Sequence, residues 1–275
     1  MSDTHAPTRP TALWKRITAS PARAAQPLQI LLGNRSLVLL VGAFAALTVA
    51  EWGYVTALAI DAFRRDGPIA VGLVGFRLFF AAIGSVASLP YVEQHPGART
   101  LTAVALTRSM LVGASACLAA AGAPLAVLLI LVALDAVVSG AYRPAQSTML
   151  PVLSRTPREL AASAAGISIV KTLAQAIGAT TGGLLLEAVS PFVVFAGAAA
   201  LLFVAAMTTI RLSRLHVPTP IAMHSSRLRD RTRATIQTIR EPHVGALLTV
   251  SGLRTFVRGM WVAIAVIASI RLLKA

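Results

Sequence analysis

The 275-residue chain has little charge: 13% of its residues are Asp, Glu, Lys or Arg, against about 25% in soluble domains. So few charges cannot coat a globular surface of this size, and a hydrophobic content of 56% is far too high for a disordered chain. Acids are scarcest, ten against 25 Lys and Arg, which leaves a net charge of +15. Cysteine occurs once, at Cys117, which excludes an internal disulfide and any multi-cysteine metal site. The five histidines, His5, His95, His216, His224 and His243, all lie outside the long apolar runs, so no Ser–His dyad can form within one. Neither H-E-x-x-H, G-x-x-x-x-G-K-[ST] nor G-x-G-x-x-G is present. An enzyme, a cofactor and a metal site are therefore not expected. What the chain does have is apolar length, with a mean hydropathy of +0.74.

A helix needs roughly 20 apolar residues to cross a bilayer. Seven segments meet that length: Leu37–Ile60, Ile69–Tyr91, Leu101–Ala121, Leu125–Met149, Ala161–Ala188, Pro191–Ile210 and Val244–Ile270. Thr48-Val-Ala50 loosely resembles a signal cleavage site, but the apolar run continues past it and the 36 preceding residues are long for a signal peptide. The expected fold is thus an all-α membrane protein with about seven transmembrane helices. It divides into a tail (1–36), a six-helix unit (37–210), a basic loop (211–243) and a further helix (244–275). With the N-terminus inside, fifteen Lys and Arg fall on the cytoplasmic side and four outside. That positive-inside bias predicts a multi-pass protein of the cell membrane with a cytoplasmic N-terminus, in contact with anionic headgroups. Nucleic acid is not the expected partner, because no aromatic-interleaved basic patch or groove-reading motif occurs. Within the loop, Ser225–Arg240 reads either as an amphipathic helix on the inner leaflet or as a solvated linker.

Ionisable residues at bilayer depth cost about 2.5–3.5 kcal/mol each and usually face a cavity or a partner. Eight occur: Glu51, Arg77, Arg108, Asp135, Arg143, Lys171, Arg254 and Arg258. At 1.5 Å per residue, Glu51 and Arg77 each lie about 12–13 Å from the outer turn between the first two segments. Asp135 and Lys171 likewise share a depth near mid-membrane, each about 15 Å into its segment. An acid then a base on segments 1 and 2, repeated on segments 4 and 5, predicts two three-helix units of opposite orientation, the plan of many secondary transporters. Glu51 and Asp135 are the proton-coupling candidates, with Arg77, Lys171 and Arg143 as cavity charge partners. The competing reading is a fixed Glu51–Arg77 pair that orders two helices without titrating. Arg108, seven residues from the inner end of its segment, is expected to snorkel to the headgroups. Arg254 and Arg258 share one face of the seventh segment, as for a cavity wall or a missing partner helix. Trp52, Tyr54 and Tyr142 are substrate-contact candidates, with helix packing as the alternative.

Three stretches resemble the major facilitator superfamily. The loop Leu89-Pro-Tyr-Val-Glu-Gln-His-Pro-Gly-Ala-Arg99 falls where that family has its G-x-x-x-D-R-x-G-R-R gating signature, with Glu93 for the aspartate and Arg99 retaining charge. Gly140-Ala-Tyr-Arg-Pro-Ala-Gln-Ser-Thr-Met-Leu-Pro151, followed by Arg155-Thr-Pro-Arg-Glu-Leu-Ala-Ala162, is similar to the helix 4–5 turn of the drug- and siderophore-exporter branch, in particular its actinobacterial members. Gly178-Ala-Thr-Thr-Gly-Gly183 resembles the antiporter motif G-P-x-x-G-G, with Ala179 for the proline; its small residues Gly178, Gly182 and Gly183 would let helices approach closely. The resemblance implies a 3+3 inverted-repeat bundle and secondary active efflux of a small amphipathic substrate by alternating access, with proton coupling as an option. It also implies twelve helices, so the chain reads as a truncated or non-transporting product, or as a half-transporter needing its missing C-terminal half or a homodimer.

Overall fold

A computed structural model describes residues 29–95 and 97–214, together with positions 246, 249, 250, 253 and 257. Nearly all of the tail, the basic loop and the seventh segment, with Arg254 and Arg258, lies outside the described residues.

The described chain is helical, with no strand among the described residues. Helix α1 is Arg35–Asp66; α2, α3 and α4 (Pro68–Gly75, Arg77–Ala87, Leu89–Gln94) run on as one broken span; α5 is Gly97–Ala120. Then α6 and α7 (Leu125–Gly140, Tyr142–Leu153) form a second broken span, followed by α8 (Pro157–Ala188) and α9 (Pro191–Arg214). Six of these spans, counted among the described residues, are long and apolar enough to cross a membrane, as expected for a multi-pass membrane protein.

Local chemistry explains the punctuation. Asn34 caps α1, its side chain accepting from the Ser36 N–H at 3.2 Å. Thr156 caps α8 by accepting from the Glu159 N–H at 3.1 Å, and Glu159 reaches back to the Arg155 N–H at 2.8 Å, a close variant of the capping box. Gly67 (φ 74°) and Gly122 (φ 71°) take the left-handed turns after α1 and α5 that a side chain would strain. The break between α6 and α7 follows from Pro144, which has no N–H to offer the Gly140 carbonyl.

Bonds at the two ends fix the direction of the helices. At one end Asn34 donates to the Leu153 carbonyl (3.0 Å) and to Glu159 (3.3 Å), so the start of α1 meets the end of α7 and the start of α8. At the other, Arg65 donates to the Ala123 carbonyl (3.3 Å) and Arg64 pairs with Glu187, so the end of α1 meets the start of α6 and the end of α8. Between these ends α1 packs on α8 and α9, α6 packs on α3 and α5, and α5 packs on α9. The core lies where α1, α5 and α9 converge, around Leu40, Leu58, Leu101, Phe195 and Leu202.

Candidate functional site

Four apolar spans carry a connected polar cluster in their interior. Glu51 and Tyr54 come from α1, Arg77 from α3, Arg108 from α5 and Asp135 from α6. Arg77 donates from a terminal guanidinium nitrogen to one Glu51 oxygen at 2.9 Å. Arg108 grips both acids: Nη2 reaches the other Glu51 oxygen at 3.1 Å and Asp135 Oδ2 at 3.2 Å, while Nε donates to Asp135 Oδ1 at 2.8 Å. The Tyr54 hydroxyl donates to Asp135 Oδ2. Two acids face two bases, so the cluster balances its charge, which is what low-dielectric surroundings require.

Burial within the cluster is uneven. The side chains of Arg108 and Asp135 are 2% and 1% exposed, whereas that of Glu51 is 29% exposed. Glu51 is therefore the most exposed member of the cluster. A proton arriving there would neutralise one carboxylate and loosen its hold on Arg77 and on one arm of Arg108, while Asp135 would keep Arg108 fixed.

The expected sites fall into three sets. Glu51 and Arg77 are paired, as their common depth implies, and Tyr54 joins them through Asp135 rather than standing in an open cavity. The base that Asp135 meets is Arg108, where depth alone suggested Lys171. Depth says nothing about lateral neighbours: α6 packs on α5, while α8, which carries a half-buried Lys171, packs on α1. The expectation that Arg108 snorkels is wrong. Its side chain is 2% exposed and bonded to both Glu51 and Asp135, so it turns into the bundle rather than along the helix toward the headgroups.

The remaining residues lie away from the cluster or serve packing. Arg143 is exposed near the start of α7, and Glu93 and Arg99 are exposed at the end where α4 gives way to α5. Tyr142 is buried and stacked on Phe44, with ring centroids 6.1 Å apart. Trp52 is half-buried on α1, with its Cβ 3.1 Å from where a Cβ on Gly178 would stand. Gly178 and Gly182 are tight contacts: a Cβ on either would collide with the α1 backbone, at Val49 and Gly53 respectively. Gly183 is looser, with Ile60 at an ordinary 3.9 Å. A second small-residue crossing went unread in the sequence: a Cβ on Gly84 of α3 would strike the Val137 backbone of α6, and one on Gly140 the backbone of Ala81 and Ser85.

The residues described hold no group of three or more His, Cys, Asp or Glu side chains able to bind a metal ion. Comparison with protein-family models, with curated proteins and with solved structures gave no match.

Proposed function

We propose that this chain carries the six-helix N-terminal half, followed by a seventh helix, of a secondary active transporter of major facilitator type, exporting a small amphipathic molecule, with Glu51 as its proton-exchanging group. The observation that carries the reading is the Arg77–Glu51–Arg108–Asp135–Tyr54 cluster, buried within four apolar spans with Glu51 its most exposed member. Charge at that depth is costly and usually marks an ion or substrate pathway.

The packing pattern supports an inverted repeat. Exchanging the first three spans for the last three turns the contacts of α1 with α8 and α9 into those of the α6–α7 span with the α2–α4 span and with α5; the α5–α9 contact maps onto itself. The glycine crossings follow the same exchange, Gly53 against Gly182 answering Gly140 against Gly84. Corresponding spans run in opposite directions, as inverted-topology repeats do. The end bearing exposed Arg35, Arg99, Arg155, Arg158 and Arg211 is the cytoplasmic one in this reading.

One observation favours a second reading, a structural charge core in a protein that does not transport: two acids balance two bases, and three of the four are nearly inaccessible. Reconstitution separates the two. Under an imposed proton gradient, proteoliposomes containing the chain should move at least one of a panel of fluorescent amphipathic dyes, and Glu51→Gln should abolish that movement while the protein stays folded. No gradient-driven movement of any dye would contradict transport. Equal movement by Glu51→Gln would contradict coupling through this residue.

A further inference from the structure

Four buried side-chain atoms of the described residues make no hydrogen bond: Asp61 Oδ2, Arg77 Nε, the Tyr142 hydroxyl and Gln146 Nε2. The first two belong to side chains already held in ion pairs, Asp61 with Arg65 at 3.0 Å and Arg77 with Glu51 at 2.9 Å. The other two stand together. Tyr142 and Gln146 are four residues apart on α7, hence neighbours on one helix face, and they are 5% and 6% exposed. Leaving a buried hydroxyl or amide unpaired costs on the order of 1–3 kcal/mol, and such groups are nearly always satisfied by protein or by ordered water.

Their position adds meaning. Asp135, Tyr142 and Gln146 are spaced by seven and four residues and are all buried, forming one inward-facing polar stripe along the α6–α7 span. Helical side chains lean toward the helix N-terminus, which tilts Tyr142 toward Asp135 across a rise of about 10 Å. In the other direction α7 ends at Leu153, whose carbonyl Asn34 bonds at the bundle end.

We propose that Tyr142 and Gln146 bind ordered water inside the bundle, forming a hydrated site on the α6–α7 span next to the Arg108–Asp135 side of the cluster. Tyr142 offers a donor and an acceptor and Gln146 an amide donor, so one or two waters can satisfy both and pass a hydrogen-bond chain toward Asp135. The cluster then has two faces: Glu51, its most exposed member, lies on one, and this water wets the other. The site stands whether or not the protein transports anything.

X-ray radiolytic footprinting tests it on the full chain in lipid nanodiscs, because hydroxyl radicals formed from bound water oxidise the side chains touching it. Tyr54 is the internal control, being buried as well (1% exposed against 5%) but with its hydroxyl held by Asp135. Tyr142 should be oxidised about threefold faster than Tyr54 or more, as a side chain in contact with internal water would be. Gln146→Met, which keeps the volume but removes the amide, should bring Tyr142 down to the Tyr54 rate, with continued protection of Tyr54 reporting an intact fold. Equal rates at the two tyrosines in the unmodified protein would overturn the proposal, and that comparison needs no variant. Fast oxidation of Tyr142 that persists in a folded Gln146→Met would overturn the role of Gln146.

Discussion

Arg108 is the residue on which the cluster depends, because it alone touches both acids. Removing one partner of a buried ion pair strands the other charge and costs about 3–5 kcal/mol. Arg108→Met strands Asp135 beside Tyr54, whereas Arg77→Met leaves Glu51 still held by Arg108. Unfolding in mixed micelles by added SDS should therefore rank the variants, with Arg108→Met clearly less stable than Arg77→Met; the reverse order would contradict the geometry. The pair Glu51–Arg77 was legible in the sequence because both residues count inward from the same turn. Arg108 was not, because a position seven residues inside an apolar run does not say whether a long side chain turns toward the helix end or inward to two acids on other helices. The partner of Asp135 was illegible for another reason: sequence gives depth along a helix but not which helix stands beside it.

The six described spans could be read as elements, with ends displaced by a few residues where charged or capping residues extend a helix beyond its apolar run. Thus α1 begins at Arg35 behind its Asn34 cap, and α8 begins at Pro157 behind Thr156. Gly178 and Gly182 were legible as a packing face because they recur four residues apart, a spacing that small-residue contacts between membrane helices require. Gly84 and Gly140 were not, since each is isolated in its own helix and only the fold brings them together. Gly84→Ala or Gly140→Ala should push α3 from α6 and destabilise the protein by about 1–3 kcal/mol, the usual cost of overpacking. Gly72→Ala and Gly197→Ala, with nothing within 4 Å of the added methyl, should be neutral or slightly stabilising. SDS unfolding of the four variants checks this contrast, and equal effects would contradict the close crossing.

For the whole molecule, the clearest expectation concerns orientation. Exposed Arg35, Arg99, Arg155, Arg158 and Arg211 crowd one end, while Arg64 and Arg65 at the other are paired with Glu187 and Asp61. In a Cys117→Ala background, Ser190→Cys should react with a membrane-impermeant thiol reagent in intact cells, and Arg99→Cys only after permeabilisation. The opposite pattern would invert the topology. Infrared difference spectroscopy across a downward pH step tests the proton-exchanging role proposed for Glu51 without any substrate. A protonated-carboxyl band should appear in the unmodified protein, be missing in Glu51→Gln and persist in the distant Asp61→Asn. The same carboxyl bands in the unmodified protein and in Glu51→Gln would mean that Glu51 is a fixed ion-pair partner and would contradict the account.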